Sequence, residues 1–96
     1  MHKLDDPART KALAGLSGWT PASGRDAIVK SFVFKDFNAA FAFMSAAALH
    51  AEKHDHHPEW FNVYNRVDIT LSTHTDNAVT HKDIDLAKKI DEFANL

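Results

Sequence analysis

The stretch Trp60-Phe61-Asn62-Val63-Tyr64-Asn65-Arg66-Val67-Asp68-Ile69-Thr70-Leu71-Ser72-Thr73-His74 decides how this chain folds. Aromatic and β-branched residues crowd Trp60 to Tyr64 and Val67 to Thr73, and such side chains suit a pleated, half-buried surface. Asn65-Arg66 separates the two runs, and asparagine tolerates the positive φ of a tight turn, so a β-hairpin is expected. Strand alternation puts Val67, Ile69, Leu71 and Thr73 on one face and Asp68, Thr70, Ser72 and His74 on the other. With Asn65-Arg66 as a two-residue loop, Tyr64 faces Val67 and the count carried back sets His57 opposite His74. A three-residue loop sets His56 there instead. Either register gathers two histidine regions at one end of the hairpin, provided that pairing persists through Pro58, which lacks a backbone donor.

Working outward, Asp36 is placed to cap a long central helix reaching about His54, with Phe37, Phe41, Met44, Ala48 and Ala51 at helical spacing and alanines that permit close approach. Before it, Trp19–Ala22 and Ala27–Phe34 read as two antiparallel strands joined by the turn Ser23-Gly24-Arg25-Asp26. Asp5-Asp6-Pro7 starts a short first helix carrying Leu13, and Gly15 and Gly18 break its pattern around Leu16. At the other end, Thr80-x-x-Asp83 resembles a capping box with a shortened acid, followed by an apolar face of Leu86, Ala87, Ile90, Phe93 and Ala94. The order α-β-β-α-β-β-α describes one α+β domain over residues 1–96, with helices against an antiparallel sheet.

Composition narrows the function. A chain of 96 residues with 11 basic and 13 acidic side chains, net charge -2, offers no broad basic face for nucleic acid and no basic tail for a membrane. There is no cysteine, which removes disulfides, thiol nucleophiles and thiolate metal sites. The opening Met1-His2-Lys3-Leu4-Asp5-Asp6 lacks the apolar run of a signal peptide, and the apolar run Ala39–Leu49 falls short of the ~20 residues a bilayer requires. A soluble, cytoplasmic protein is expected.

Seven histidines remain to be explained, and His50, His54, His56 and His57 fall within a few residues of one another. Imidazole titrates near neutrality, so a cluster beside carboxylates points to proton transfer or metal binding. His50 and His54 have metal-compatible i, i+4 spacing, but no Glu follows His50 in a His-Glu-x-x-His pattern, and no metal site is expected. His2, His50 and His81 read as surface groups outside the site. Three imidazoles at one hairpin end, with Glu52 a helical turn before His56 and Asp83 nine residues beyond His74, can divide acid, base and orienting roles. Asp83 equally suits the start of the last helix, where an acid faces the positive end of the macrodipole. Trp60, Phe61 and Tyr64 are hairpin packing residues by default, although a flat aromatic beside the histidines can wall a planar ligand.

The residues Glu52-Lys53-x-Asp55-His56-His57-Pro58-Glu59-Trp60-Phe61-Asn62-Val63-Tyr64-Asn65, then Ile69-Thr70-Leu71-Ser72-Thr73-His74 and Asp83, resemble the pterin-4a-carbinolamine dehydratase family. The resemblance implies a four-stranded antiparallel sheet with three helices packed on one face. It also implies removal of water from 4a-hydroxytetrahydropterin to give quinonoid dihydropterin, without metal or organic cofactor, in recycling after aromatic amino acid hydroxylation. Carried over by position, His56, His57 and His74 form the catalytic trio, Glu52 and Asp83 support them, and Pro58, Trp60 and Thr73 lie near the pterin. Asp68 stands where animal members carry histidine, and Lys82 stands where arginine is familiar, keeping the charge without the bidentate fork.

The same resemblance implies a homodimer or homotetramer and a functional link to an aromatic amino acid hydroxylase. Animal members also act as dimerisation cofactors of a homeodomain transcription factor, so a protein-binding module is the alternative reading. A pure interaction module has no need for His56, His57, His74 and Asp83 together, whereas a dehydratase does.

Overall fold

The computed structural model describes residues 3–95, so His2 lies outside it. Seven elements follow in the expected order: α1 (Asp6–Ala14), β1 (Thr20–Pro21), β2 (Ile28–Val33), α2 (Phe37–Lys53), β3 (Glu59–Val63), β4 (Arg66–Leu71) and α3 (His81–Ala94). Each helix begins at the cap its sequence offers. Asp5 and Asp36 accept the N–H groups of Ala8 and Ala39, and Thr80 and Asp83 close a reciprocal capping box.

The four strands form one antiparallel sheet in the order β1-β2-β4-β3. Ile28 faces Leu71 and Phe32 faces Val67, which brings the apolar alternates of the two inner strands onto one side. There they meet Ala40, Phe43 and Ala47 of α2 and Ile84, Leu86, Ala87 and Ile90 of α3, with Ala12 and Leu13 of α1 packed at the margin. Each fully buried aliphatic or aromatic side chain contributes about 1.5–3 kcal/mol, so this shared face holds the layers together.

Two expectations are corrected. Of the α2 residues at helical spacing, Ala51 is buried and Met44 packs against the core, but Phe37 and Phe41 are exposed, and the buried stripe is Ala40, Phe43, Ala47 and Ala51. Apolar residues occur nearly all round this helix, so periodicity offers two faces, and the sheet takes the one whose alanines let the backbones approach.

The hairpin turn is also shifted. Val63 faces Arg66, leaving Tyr64-Asn65 as the two central residues, with Tyr64 at φ 48°. The Asn65 side chain donates to Phe34 O (3.0 Å), while Phe34 N–H donates to Asn65 O (2.8 Å), pinning the turn to the end of β2. Pairing between β3 and β4 stops at Glu59 and Thr70, so neither His56 nor His57 is a ladder partner of His74.

Candidate active site

The C-terminus of α2 delivers the first histidines. His54 caps the helix and Asp55 takes φ 50°. Asp55 N–H donates to Glu52 O (3.2 Å) and His56 N–H to Ala51 O (3.1 Å), the paired bonds of a Schellman motif with aspartate where glycine is usual. The chain therefore reverses abruptly and turns His56 back toward α3. Pro58 follows just before β3, where its missing N–H interrupts no pairing.

His56 is nearly buried, its side chain 11% exposed, and its Nε2 donates to Asp83 Oδ1 at 2.6 Å. Asp83 is wholly buried on the first turn of α3. Its Oδ2 accepts the Thr80 N–H at 2.9 Å and the Thr73 hydroxyl at 2.8 Å, and Thr73 and Thr80 hydroxyls bond each other at 2.6 Å. A buried carboxylate is tolerated because every face of it meets a donor.

The other two imidazoles are more open. His57 Nε2 donates to Glu52 Oε1 at 2.8 Å, one helical turn back on α2. His74 lies three residues beyond β4, just after the isolated Thr73–Ala78 bridge, and its Nε2 donates to Glu59 Oε2 at 3.1 Å. Glu59 is in turn gripped by Arg25 of the β1–β2 turn, at 2.7 Å and 2.9 Å through both guanidinium Nη atoms. That fork, and secondarily His74, hold the Glu59 carboxyl down at about 2 against the opposing effect of burial. Thus each of the three histidines has its own carboxylate.

His56, His57 and His74 surround one solvent-open depression of about 240 Å³, completed by Thr73, Asp55, Thr75 and Lys82. A second hollow of about 140 Å³, which shares His56 and Lys82 with the first, is bordered by His50, His54, Asp85 and Leu86 as well. His50 stacks on His54 with centroids 4.1 Å apart. Burial, then the nearby His54, Lys89 and Lys53, lower the His50 pKa. Among the described residues, no three His, Asp or Glu side chains converge in a way that could hold a metal ion.

The structure thus gathers the three sequence-selected histidines, Thr73, Glu52 and Asp83 into one constellation. Pro58 and Trp60 do not line the histidine depression; Trp60 is partly buried and packs against the hydrophobic core instead. Its parity places it with Ile69 on the helix side of the sheet, where core packing claims it. Sequence reading missed Glu59 and Arg25 as participants. The available signal was the shared parity of Glu59, Thr70 and His74 along the hairpin, legible only once the register is known.

Residues 2–93 match the family described as Pterin 4 alpha carbinolamine dehydratase. The chain belongs to this family. A Brucella ovis relative named "Putative pterin-4-alpha-carbinolamine dehydratase" is 55% identical over 93 residues, spanning 97% of this chain and 96% of its own. A crystal structure of a transcriptional coactivator/pterin dehydratase from Brucella melitensis superposes with a TM-score of 0.95 at 55% identity, covering 97% of this chain and 99% of that one. The pterin dehydratase fold also extends to a pterin dehydratase-like protein described as a RuBisCO assembly factor in the alpha-carboxysome. That protein has a TM-score of 0.70 at 24% identity, over 80% of this chain and 89% of the other. Among the described residues of this family member, no helix is long and apolar enough to cross a membrane.

Proposed function

We propose that this chain is a 4a-hydroxytetrahydropterin dehydratase working by histidine acid/base catalysis. The observation that carries the reading is the convergence of His56, His57 and His74 on one depression, each backed by a carboxylate. In the dehydration, the hydroxyl on C4a leaves with the C–O bonding pair and takes up one proton to become water. The adjacent ring N–H gives up one proton as its electron pair forms the new C=N bond. One imidazolium supplies the first proton and one neutral imidazole accepts the second, and near pH 7 both forms are accessible to histidine. Catalysis then exchanges the two protonation states, and solvent at the open mouth resets them. Pterin is the substrate, and the proposal uses no cofactor.

The depression is smaller than the about 300–1,000 Å³ of sites for drug-sized ligands, which suits a compact bicycle bound with one edge in solvent. In this reading Thr73 and Lys82 contact the pterin from the wall. The pathway place is regeneration of tetrahydrobiopterin after an aromatic amino acid hydroxylase, in the cytoplasm, by a homo-oligomer.

The test is the dehydration rate of enzymatically generated 4a-hydroxytetrahydropterin, followed by ultraviolet absorbance, for the parent, His56→Ala and His74→Ala, with and without chelator. Acceleration that survives chelation and drops by about 10²–10⁴-fold in the variants is expected. A parent rate equal to the uncatalysed background sinks the enzyme reading.

A second reading, a dimerisation module, draws on the exposed apolar residues Phe37, Phe41 and Leu49 of α2 and Phe61, Val63 and Tyr64 of the hairpin. Those side chains account for self-association equally well. They do not account for the three imidazole–carboxylate pairs.

A further inference from the structure

Resting on the dehydratase reading, we infer that Arg25 and Glu59 are positioning residues for His74, forming a relay from the β1–β2 turn across the end of β4 to the first residue of β3. His74 needs such a device more than its two companions. His56 is locked by burial and Asp83, and His57 follows directly in the same reversal of chain. His74 lies three residues beyond β4, in the turn that follows the isolated Thr73–Ala78 bridge, and its side chain is 64% exposed. The hydrogen bond to Glu59 is the only one that its ring makes among the described residues. Without it the ring is free to exchange rotamers over the mouth of the depression.

The geometry answers that need in two steps. Ser72 Oγ donates to Asp26 O (3.0 Å), which ties the β1–β2 turn to the end of β4 and brings Arg25 alongside His74. The guanidinium fork then meets both Glu59 oxygens and fixes the plane of the carboxylate, leaving Oε2 shared between Arg25 and His74. Glu59 is held ionised at any neutral pH, with its carboxyl at about 2, so it only accepts hydrogen bonds. The proton on this contact therefore belongs to His74 Nε2, and Nδ1 is the nitrogen left free to exchange a proton. The fixed tautomer is the consequence of an anion that cannot donate, and Arg25 holds that anion in place. The other titratable groups facing the depression are Asp55, His56, His57 and Lys82, and none of them bonds the His74 ring.

The test combines turnover with a conformational measurement on the full chain. Glu59→Ala and Arg25→Lys are assayed for kcat and KM with 4a-hydroxytetrahydropterin, alone and in a His74→Ala background. The χ1 rotamer of His74 is read from three-bond couplings to Cγ in isotope-labelled protein. Glu59→Ala is expected to lower kcat about 10–100-fold, the scale on which misplacing a catalytic group acts, with KM changed less than about twofold. It should cost nothing further once His74 is absent. Arg25→Lys keeps the charge without the fork and should fall between parent and Glu59→Ala. His74 couplings should show one rotamer in the parent and averaging in Glu59→Ala. Parent-like kcat in Glu59→Ala, or the same loss in the His74→Ala background, overturns the inference. If the parent shows no turnover, the dehydratase reading fails. The couplings then decide alone: a single parental rotamer that averages in Glu59→Ala upholds the relay, and a parent already averaging overturns it.

Discussion

His56 Nε2 lies 2.6 Å from Asp83 Oδ1, and the second oxygen of the same carboxylate closes the capping box of α3. A helix start and an imidazole are thus secured by one buried group. The two roles that sequence offered for Asp83 are not alternatives, because a carboxylate has lone pairs enough for both. It follows that the fold of the last helix sets the position of His56, and that damage to one reaches the other.

Replacing Asp83 separates these roles by degree. Asp83→Ala strands the Thr80 N–H, at about 1–3 kcal/mol for a buried donor without a partner, leaves the Thr73 hydroxyl only its bond to Thr80, and lowers the denaturation midpoint accordingly. Asp83→Asn keeps the shape and one acceptor, so its stability loss should be smaller. Turnover should nonetheless fall at least about tenfold in Asp83→Asn, since the anion behind His56 is gone. Full activity in a folded Asp83→Asn protein would confine Asp83 to capping.

Asp55 sits at φ 50° in the motif that aims His56, which gives a backbone test of the site. Asp55→Gly should fold normally, because glycine adopts this conformation without steric cost. Asp55→Val places a β-branched residue there, at a cost of about 1–2 kcal/mol. If the reversal aims His56 as described, Asp55→Val also lowers kcat by more than its unfolded fraction explains, measured by rate and circular dichroism on the same samples.

Much of this was legible in the sequence because the signals are local. Asp5, Asp36 and Thr80 cap helices within a turn of themselves, and the alternation Val67, Ile69, Leu71 identifies its buried face without a partner strand. What failed depended on distant residues. The turn falls at Tyr64-Asn65, where the Asn65 side chain reaches back to Phe34, 31 positions earlier. Glu59 meets His74 while held by Arg25, 34 positions away in the β1–β2 turn. The burial of α2 was misjudged for a related reason: its sequence is apolar on several sides, and only contact with the sheet selects Ala40, Phe43 and Ala47.

Acid stability should carry the signature of Glu59. Its carboxyl is depressed from an ordinary 4.5 to about 2 by the Arg25 fork. The stabilisation is therefore complete above about 4.5 and is lost as pH falls from there through about 2. Denaturant midpoints measured between pH 5 and 2 should decline for the parent, and less steeply for Glu59→Gln. Parallel curves in that window would show that the ion pair, whose side chains are 43% and 38% exposed, is screened to insignificance.

His50 governs a higher window with the same sign. Burial and the neighbouring His54, Lys89 and Lys53 lower its pKa from 6.5, against a weaker opposing pull from Glu92. The folded protein then binds less proton than the unfolded chain as pH falls through about 6.5, and stability drops with it. His50→Leu should flatten the stability curve between pH 7 and 5 while keeping the contact with Phe93. A slope unchanged from the parent would assign that acid sensitivity to another group.

The exposed side of α2 supplies the last expectation. Phe37 and Phe41 are 48% and 56% exposed and pack on each other with centroids 5.7 Å apart, and Leu49 on the same helix is 75% exposed. Apolar groups presented together on one helix suit association, and because a second copy of the chain offers the same surface in return, self-association is expected. Light scattering coupled to size exclusion should show the parent as a dimer or tetramer and Phe41→Glu shifted to a smaller species, because a glutamate there must be desolvated against apolar neighbours. The site lies at the opposite end of α2 from Phe41, so dehydration per subunit should change little if each subunit is self-sufficient. A parent that elutes as a monomer removes self-association as the reason for this surface and strengthens the case for a different protein partner.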